Sequence, residues 1–101
     1  MSQGKATRRA IVRSPRGLHL RPWGQFAELA AQFDAKIEVI NGSTRADGKS
    51  AMHLMMLAAV EGTELTVEAE GAAAAEAADA LAAFVENFIE EIEATEREQT
   101  R

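Results

Sequence analysis

Apolar and polar positions alternate in three segments of the chain, and this alternation is typical of strands with one buried face. The segments cover residues 10–13, 36–40 and 65–69. Asn41-Gly42 follows the second segment and favours a tight hairpin, because a type I′ turn needs positive φ at both central positions. A short returning strand is therefore predicted over residues 44–46.

Two helices are predicted in the first part of the chain from apolar residues that recur three and four positions apart. The first begins at Leu20 and ends at residues 34–35, with Pro22 in its first turn, where a missing N–H costs nothing. The second is a short apolar helix over residues 51–59, with Ser50 placed as its N-cap. The positions predicted to be buried in the first helix are Phe26, Leu29, Ala30 and Phe33.

A third helix is predicted over residues 73–93, followed by a polar tail over residues 94–101. Its predicted buried positions are Ala77, Leu81, Phe84, Phe88 and Ile92. The resulting order, β-α-β-β-α-β-α, predicts an α+β fold with a layer of helices on one face of a mostly antiparallel, four-stranded sheet. We expect one domain with its core over about residues 8–93.

The composition excludes several classes of site. With 101 residues, of which 47% are hydrophobic, the chain can bury one modest core. It has no cysteine, which excludes disulfides, thiolate metal sites and a cysteine nucleophile and fits a cytoplasmic protein. Two histidines alone do not make an ordinary zinc site, so we expect no metal and no cofactor. The chain has no long apolar run, and residues 1–9 are polar and basic, so neither membrane insertion nor a signal peptide is expected.

The net charge of −5 conceals an asymmetry along the chain. Residues 1–60 carry nine Lys and Arg against four Asp and Glu, whereas residues 61–101 carry two against twelve. The basic part can attract an acidic or phosphorylated partner, although the acidic part can equally be a solvated helix face. Nucleic acid is not expected as a partner, because the isoelectric point is near 5.0 and the basic residues lack interleaved aromatics.

A histidine at a predicted loop-to-helix junction is the candidate for chemistry. His19 offers a ring nitrogen that can be unprotonated near neutral pH. The helix start provides free N–H groups from Leu20 and Arg21, which suit a bound phosphoryl group. The Arg21 guanidinium can pair with phosphoryl oxygens, and Gly17 permits an unusual backbone angle before the histidine. Taken by spacing alone, a histidine beside an arginine is more often a surface residue or a cap.

Two short motifs favour phosphoryl chemistry at His19 over a purely structural role. Gly17-Leu18-His19 followed by Arg21-Pro22 resembles the active-site signature of the HPr family, the histidine phosphocarriers of the bacterial phosphoenolpyruvate-dependent sugar phosphotransferase system. Lys49-Ser50-Ala51-Met52-His53-Leu54-Met55 is similar to the second signature of that family. The resemblance spans roughly residues 8–93 and implies the HPr fold, an open-faced sandwich with three helices on one face of the sheet.

The resemblance also implies roles for individual residues. His19 would accept a phosphoryl group through Nδ1 from enzyme I and pass it to an EIIA domain, with Arg21 stabilising the phosphate. Ser50 matches a serine that an HPr kinase/phosphorylase modifies in some bacteria, and the modified form then binds a transcriptional regulator. Met52 and Met55 match an apolar patch that docks partners. The chain would be a monomeric carrier without turnover of its own.

The chain departs from the usual family pattern near both motifs. Leu20 and Trp23 are bulky where smaller residues are usual, Glu28 stands on a helix that often carries lysine, and Ala51 replaces a larger aliphatic residue. We expect Leu20 and Trp23 to contact partners, although Trp23 can also be a core residue. His53 is expected to add a polar contact to the docking patch. Of the methionines at positions 52, 55 and 56, one or two are expected inside and at least one exposed.

Two other functions remain open from the sequence. The chain can be a regulatory adaptor that acts through Ser50-phosphorylated or His19-phosphorylated forms, with little sugar transport. It can also be a small ligand-binding domain without phosphoryl chemistry, but this leaves the two motifs unexplained. Some regulatory relatives have another residue in place of this histidine. The chain has His19 at this position, which favours the carrier function.

Overall fold

Four strands form one antiparallel sheet in a computed structural model that describes residues 4–90. They are β1 (Lys5–Ile11), β2 (Lys36–Asn41), β3 (Thr44–Asp47) and β4 (Glu64–Glu70). Their order across the sheet is β1-β4-β2-β3, and each neighbouring pair is antiparallel. The last strand in the sequence therefore lies inside the sheet, between β1 and β2.

The period-two pattern of the strands separates a buried face from a charged one. Val67 of the inner strand β4 lies opposite Val39 of β2, and both are fully buried. On the other face Arg45 donates to Glu38 at 2.7 Å and to Glu68 at 2.6 Å, so one guanidinium joins β2, β3 and β4. These alternating contacts explain why the predicted strands pair in this register.

Three helices complete the fold, and the predicted open-faced sandwich is confirmed. They are α1 (Leu20–Ala30), α2 (Ala51–Leu54), which continues into a 3₁₀ turn at Met55–Leu57, and α3 (Ala74–Asn87). Helix α3 packs on β1 and β4, and α1 packs against both α2 and α3. None of the helices described over residues 4–90 is long and apolar enough to cross a membrane.

An aromatic group at the start of α1 forms part of the core. Trp23 and Phe26 are fully buried, with ring centroids 5.3 Å apart in an edge-to-face arrangement, and Phe84 of α3 lies 6.0 Å from Phe26. The prediction that Trp23 contacts partners is wrong, because it shares the inward face of α1 with Phe26 and Ala30 at helical spacing. Its indole N–H has no hydrogen-bond partner.

Several element boundaries differ from those expected. Strand β1 begins at Lys5 rather than at residue 10, since its inward positions are the small Ala6 and Ala10 and give a weak hydrophobic signal. The second helix is shorter than predicted, because Ala58 takes a left-handed conformation with φ of 50°. Helix α1 ends at Ala30 rather than at residues 34–35.

Helix α3 ends at Asn87, six residues before the predicted end, and Phe88 is extended with φ −77° and ψ 114°. Of its predicted inward positions, Ala77 and Leu81 are fully buried, while Phe84 and Phe88 are half-buried beside the fully buried Val85. Ile92 and the predicted tail lie outside the described residues. The extended conformation of Phe88 turns the chain toward the start of α1.

Candidate functional site

His19 stands at the N-terminus of α1 as its N-cap residue. Its backbone is extended, with φ −103° and ψ −166°, and its side chain makes no capping hydrogen bond with the first turn. The ring is 41% exposed. Leu20 and Arg21 are the first residues of the helix, and their amides lie at its positive dipole end. This end of the helix is next to the accessible imidazole of His19.

The loop before His19 is fixed by contacts with the segment that follows the second motif. The amide of Leu18 donates to the carbonyl of Ala59 at 2.9 Å, and the amide of Gly17 donates to the carbonyl of Ser14 at 2.8 Å. Gly17 has φ of +69°, and a Cβ there would lie 2.6 Å from the carbonyl oxygen of Ala59. Glycine is therefore required both by the backbone conformation and by the close approach of the two segments.

The carboxylate of Glu90 contacts both His19 and Arg21 of the first motif. Its Oε1 lies 2.6 Å from Nε2 of His19, and its Oε2 accepts from a terminal nitrogen of Arg21. The amide of Glu90 in turn donates to the hydroxyl of Ser14 at 2.9 Å. The Arg21 guanidinium also lies over the ring of Phe88, 5.7 Å from its centroid. We call His19, Arg21 and Glu90 the carboxylate clamp.

The second motif forms a separate surface on α2 and the 3₁₀ turn. The hydroxyl of Ser50 accepts from the amide of His53 at 3.2 Å, which confirms the predicted N-cap. Nδ1 of His53 accepts from the amide of Asp47 at 3.0 Å. Lys49 donates to the carbonyl of Phe33 at 3.1 Å, just beyond α1.

All three methionines of this surface are exposed, so the expectation that one or two are inside is wrong. Met52 is 75% exposed, Met55 41% and Met56 69%. Leu54 and Leu57 occupy the inward positions instead, with 0% and 2% exposure. The methionine patch (Met52, Met55 and Met56) is thus a larger exposed apolar surface than predicted.

Comparisons with known proteins cover the part of the chain that contains both motifs. The sequence profile of the phosphotransferase-system HPr component, described as its phosphorylation site, matches residues 6–87. Phosphocarrier protein HPr of Neisseria meningitidis serogroup A is 42% identical over 75 residues, which cover 74% of this chain and 84% of the relative. The chain belongs to the HPr family.

Solved HPr structures show the same fold. A phosphocarrier protein HPr from Bacillus anthracis superposes with a TM-score of 0.77 at 35% identity, covering 81% of this chain and 98% of the other. Crh, the catabolite repression HPr of Bacillus subtilis, gives a TM-score of 0.64 at 34% identity, covering 82% and 99%. As an HPr of the phosphotransferase system, the protein carries phosphoryl groups and is not an enzyme.

The contact with Glu90 favours one tautomer of the His19 ring in this HPr. Hydrogen bonds from His19 and then from Arg21 hold the pKa of Glu90 below its usual range, so its carboxylate is ionised and can only accept. The proton between Nε2 of His19 and Glu90 is therefore assigned to Nε2. In a neutral ring this tautomer leaves the lone pair on Nδ1.

This assignment predicts how Glu90 titrates. We expect the pKa of Glu90, followed by its side-chain carboxyl ¹³C shift, to rise toward the ordinary value in His19→Ala and to rise further when Arg21 is also replaced by alanine. The contribution of the clamp to stability is fully present above the unfolded pKa of about 4.3 and is lost as the pH falls through the lowered folded pKa. Equal pKa values in all three proteins would contradict the clamp.

The sequence singled out His19 and Arg21 but missed Glu90 and Ser14. Glu90 was included in a Glu-rich helix face, and nothing local marks it, because its contacts depend on the turn at Phe88. Leu20 is 53% exposed beside His19, as a partner-contacting residue must be. The described residues contain no cluster of His, Cys, Asp or Glu placed to hold a metal ion.

Proposed function

We propose that this HPr accepts a phosphoryl group from phosphorylated enzyme I on Nδ1 of His19 and passes it to an EIIA-type protein. The observation that carries the proposal is the contact between Nε2 of His19 and Glu90, which leaves Nδ1 free at a helix N-terminus. The orientation of a reactive imidazole by a carboxylate on its other nitrogen is known from hydrolytic triads. Here it selects the tautomer that can attack phosphorus.

The proposed transfer is a displacement at phosphorus. The lone pair of Nδ1 forms the new N–P bond while the bond between phosphorus and the donor breaks, and its electron pair returns to the donor. Arg21 uses one terminal nitrogen for Glu90, and its other N–H groups remain available for phosphoryl oxygens. The amides of the first turn of α1 complete an anion site. Transfer to the acceptor reverses these steps.

Incubation of the protein with enzyme I, phosphoenolpyruvate and Mg²⁺ tests the proposal. We expect one phosphoryl group, in a bond that is labile in acid and stable in alkali, and ³¹P–¹⁵N coupling should place it on Nδ1 of His19. Omission of enzyme I serves as the control. A phosphate on Nε2, on a hydroxyl, or on no residue at all would refute the proposed function.

A second, regulatory function is favoured by the position of Ser50. Its hydroxyl caps α2 directly before the exposed methionine patch, and His53 of the same turn is exposed as well. Phosphate at a helix N-terminus interacts favourably with the dipole and the free amides. A kinase that modified Ser50 would therefore add about two negative charges beside a partner-docking surface without unfolding the helix. A phosphorylated form could then bind a transcriptional regulator.

The regulatory function predicts that Ser50→Asp slows phosphorylation of His19 by enzyme I several-fold, mainly by raising the KM. The circular dichroism spectrum and Tm should stay near wild type, since aspartate is itself a good N-cap. Ser50→Ala is the matched control and should cost about 1 kcal/mol of stability with normal transfer. If the three proteins gave superimposable saturation curves with enzyme I, the regulatory function of Ser50 would be contradicted.

A further inference from the structure

We propose that Ser14 is a positioning residue for phosphoryl transfer, acting on His19 through Glu90. This inference rests on the proposed function of His19. It concerns a residue that lies outside both sequence motifs and five positions before the phosphoacceptor. Ser14 touches no reacting atom, and its role is to set the place of the carboxylate that orients the imidazole.

The burial of Ser14 is the first observation. Ser14 is fully buried, with 0% exposure. The other buried residues among those described are apolar residues or glycines. A buried hydroxyl is costly unless it is hydrogen-bonded. Its oxygen accepts from the amide of Glu90 at 2.9 Å, which satisfies it.

Ser14 also connects two segments that meet at the site. Its carbonyl accepts from the amide of Gly17 at 2.8 Å and so closes the turn that leads to His19. Its hydroxyl holds the backbone of Glu90, three residues beyond the end of α3. One residue, through its carbonyl and its hydroxyl, therefore connects the loop that carries the imidazole with the residue that carries the carboxylate.

The consequence for chemistry follows from the length of the contact. Glu90 and His19 are 2.6 Å apart, and a hydrogen bond weakens steeply when its geometry is lost. Without the hydroxyl of Ser14, the backbone of Glu90 loses the hydrogen bond that ties it to the segment leading to His19. The Nε2–H tautomer is then less favoured, and less of the protein has a free lone pair on Nδ1.

The alternative is that Ser14 only satisfies the half-buried amide of Glu90. Both roles predict some loss of stability in Ser14→Ala, so stability cannot separate them. The ring tautomer separates them, because a merely structural serine does not alter the ¹⁵N shifts of a histidine ring in a folded protein.

The test compares wild type, Ser14→Ala, Glu90→Ala and the double variant, each checked for folding by circular dichroism. In Ser14→Ala we expect the ¹⁵N shifts of His19 to show a larger fraction of the Nδ1–H tautomer. The rate of phosphorylation by enzyme I should fall about threefold to tenfold, the loss that one hydrogen bond is worth. In the Glu90→Ala background, which has no side-chain acceptor for Nε2 of His19, Ser14→Ala should cause no further fall. Ser43→Ala removes an exposed hydroxyl from the hairpin turn and is the matched control.

The outcomes distinguish this inference from the proposed function. Unchanged ¹⁵N shifts and rate in Ser14→Ala, or an equal loss of rate in the Glu90→Ala background, would overturn the role of Ser14 while leaving His19 as phosphoacceptor. If wild type is not phosphorylated at all, the proposed function fails and the role of Ser14 in transfer falls with it. Should Ser14→Ala not fold, Ser14→Cys keeps nearly the same volume with a weaker acceptor, and a tautomer shift is expected there too.

Discussion

Replacement of His19 by alanine should abolish uptake of the phosphoryl group from enzyme I and leave the fold intact. The imidazole is partly exposed and belongs to no core cluster, so its loss removes the nucleophile without opening a cavity. No cysteine is present to replace it as a nucleophile. The measurement is the intact mass of both proteins after the same reaction, supported by their circular dichroism spectra. Labelling of His19→Ala to the wild-type level would refute the assignment.

The second histidine provides a matched control for this prediction. His53 is exposed, but its Nδ1 accepts from the amide of Asp47, so this nitrogen is not free to attack phosphorus. His53→Ala should therefore take up one phosphoryl group on His19 when the reaction is run to completion. A lower initial rate is compatible with its place beside the methionine patch, but loss of the final labelling would show that His53 carries the group instead.

The fold followed from the sequence wherever local chemistry and periodicity agreed. The hairpin was predicted at the right place but with the wrong turn. Asn41 pairs with Thr44 at the end of β2, so the central residues are Gly42 and Ser43, and of these Gly42 alone has positive φ, which does not fit a type I′ turn on Asn41-Gly42. Ser50 specified the start of α2 through its hydroxyl. The end of α3 was missed because apolar residues continue at helical spacing through Phe88, so the periodicity carries no sign that the chain turns there.

The site was predictable only as far as it is local. His19 and Arg21 lie two positions apart at one helix start, and their spacing alone places them together. Glu90 is 71 residues from His19 in sequence, and its contact exists only because α3 packs across the sheet and the chain then turns at Phe88. The exposure of the methionines was misjudged for a similar reason, since Leu54 and Leu57 already fill the space below them.

Replacement of Trp23 by alanine should lower the free energy of unfolding by about 3–5 kcal/mol, because a fully buried aromatic side chain leaves both lost contacts and a cavity. The edge-to-face contact with Phe26 is lost as well. Trp23→Phe should cost far less, since it keeps an aromatic ring and removes an indole N–H that has no partner. Urea denaturation followed by circular dichroism measures both, as the variants lack the protein's one tryptophan.

Leu20→Ala is the matched control, because it removes a large apolar side chain from the same turn of the same helix. Leu20 is 53% exposed, so its loss should change the free energy of unfolding by no more than about 0.5 kcal/mol. Its effect should instead fall on the KM for enzyme I, since it lies beside His19 on the surface that a partner must approach. A loss of stability in Trp23→Ala no larger than that in Leu20→Ala would show that the indole is not packed in the core and would restore Trp23 as a candidate for partner contact.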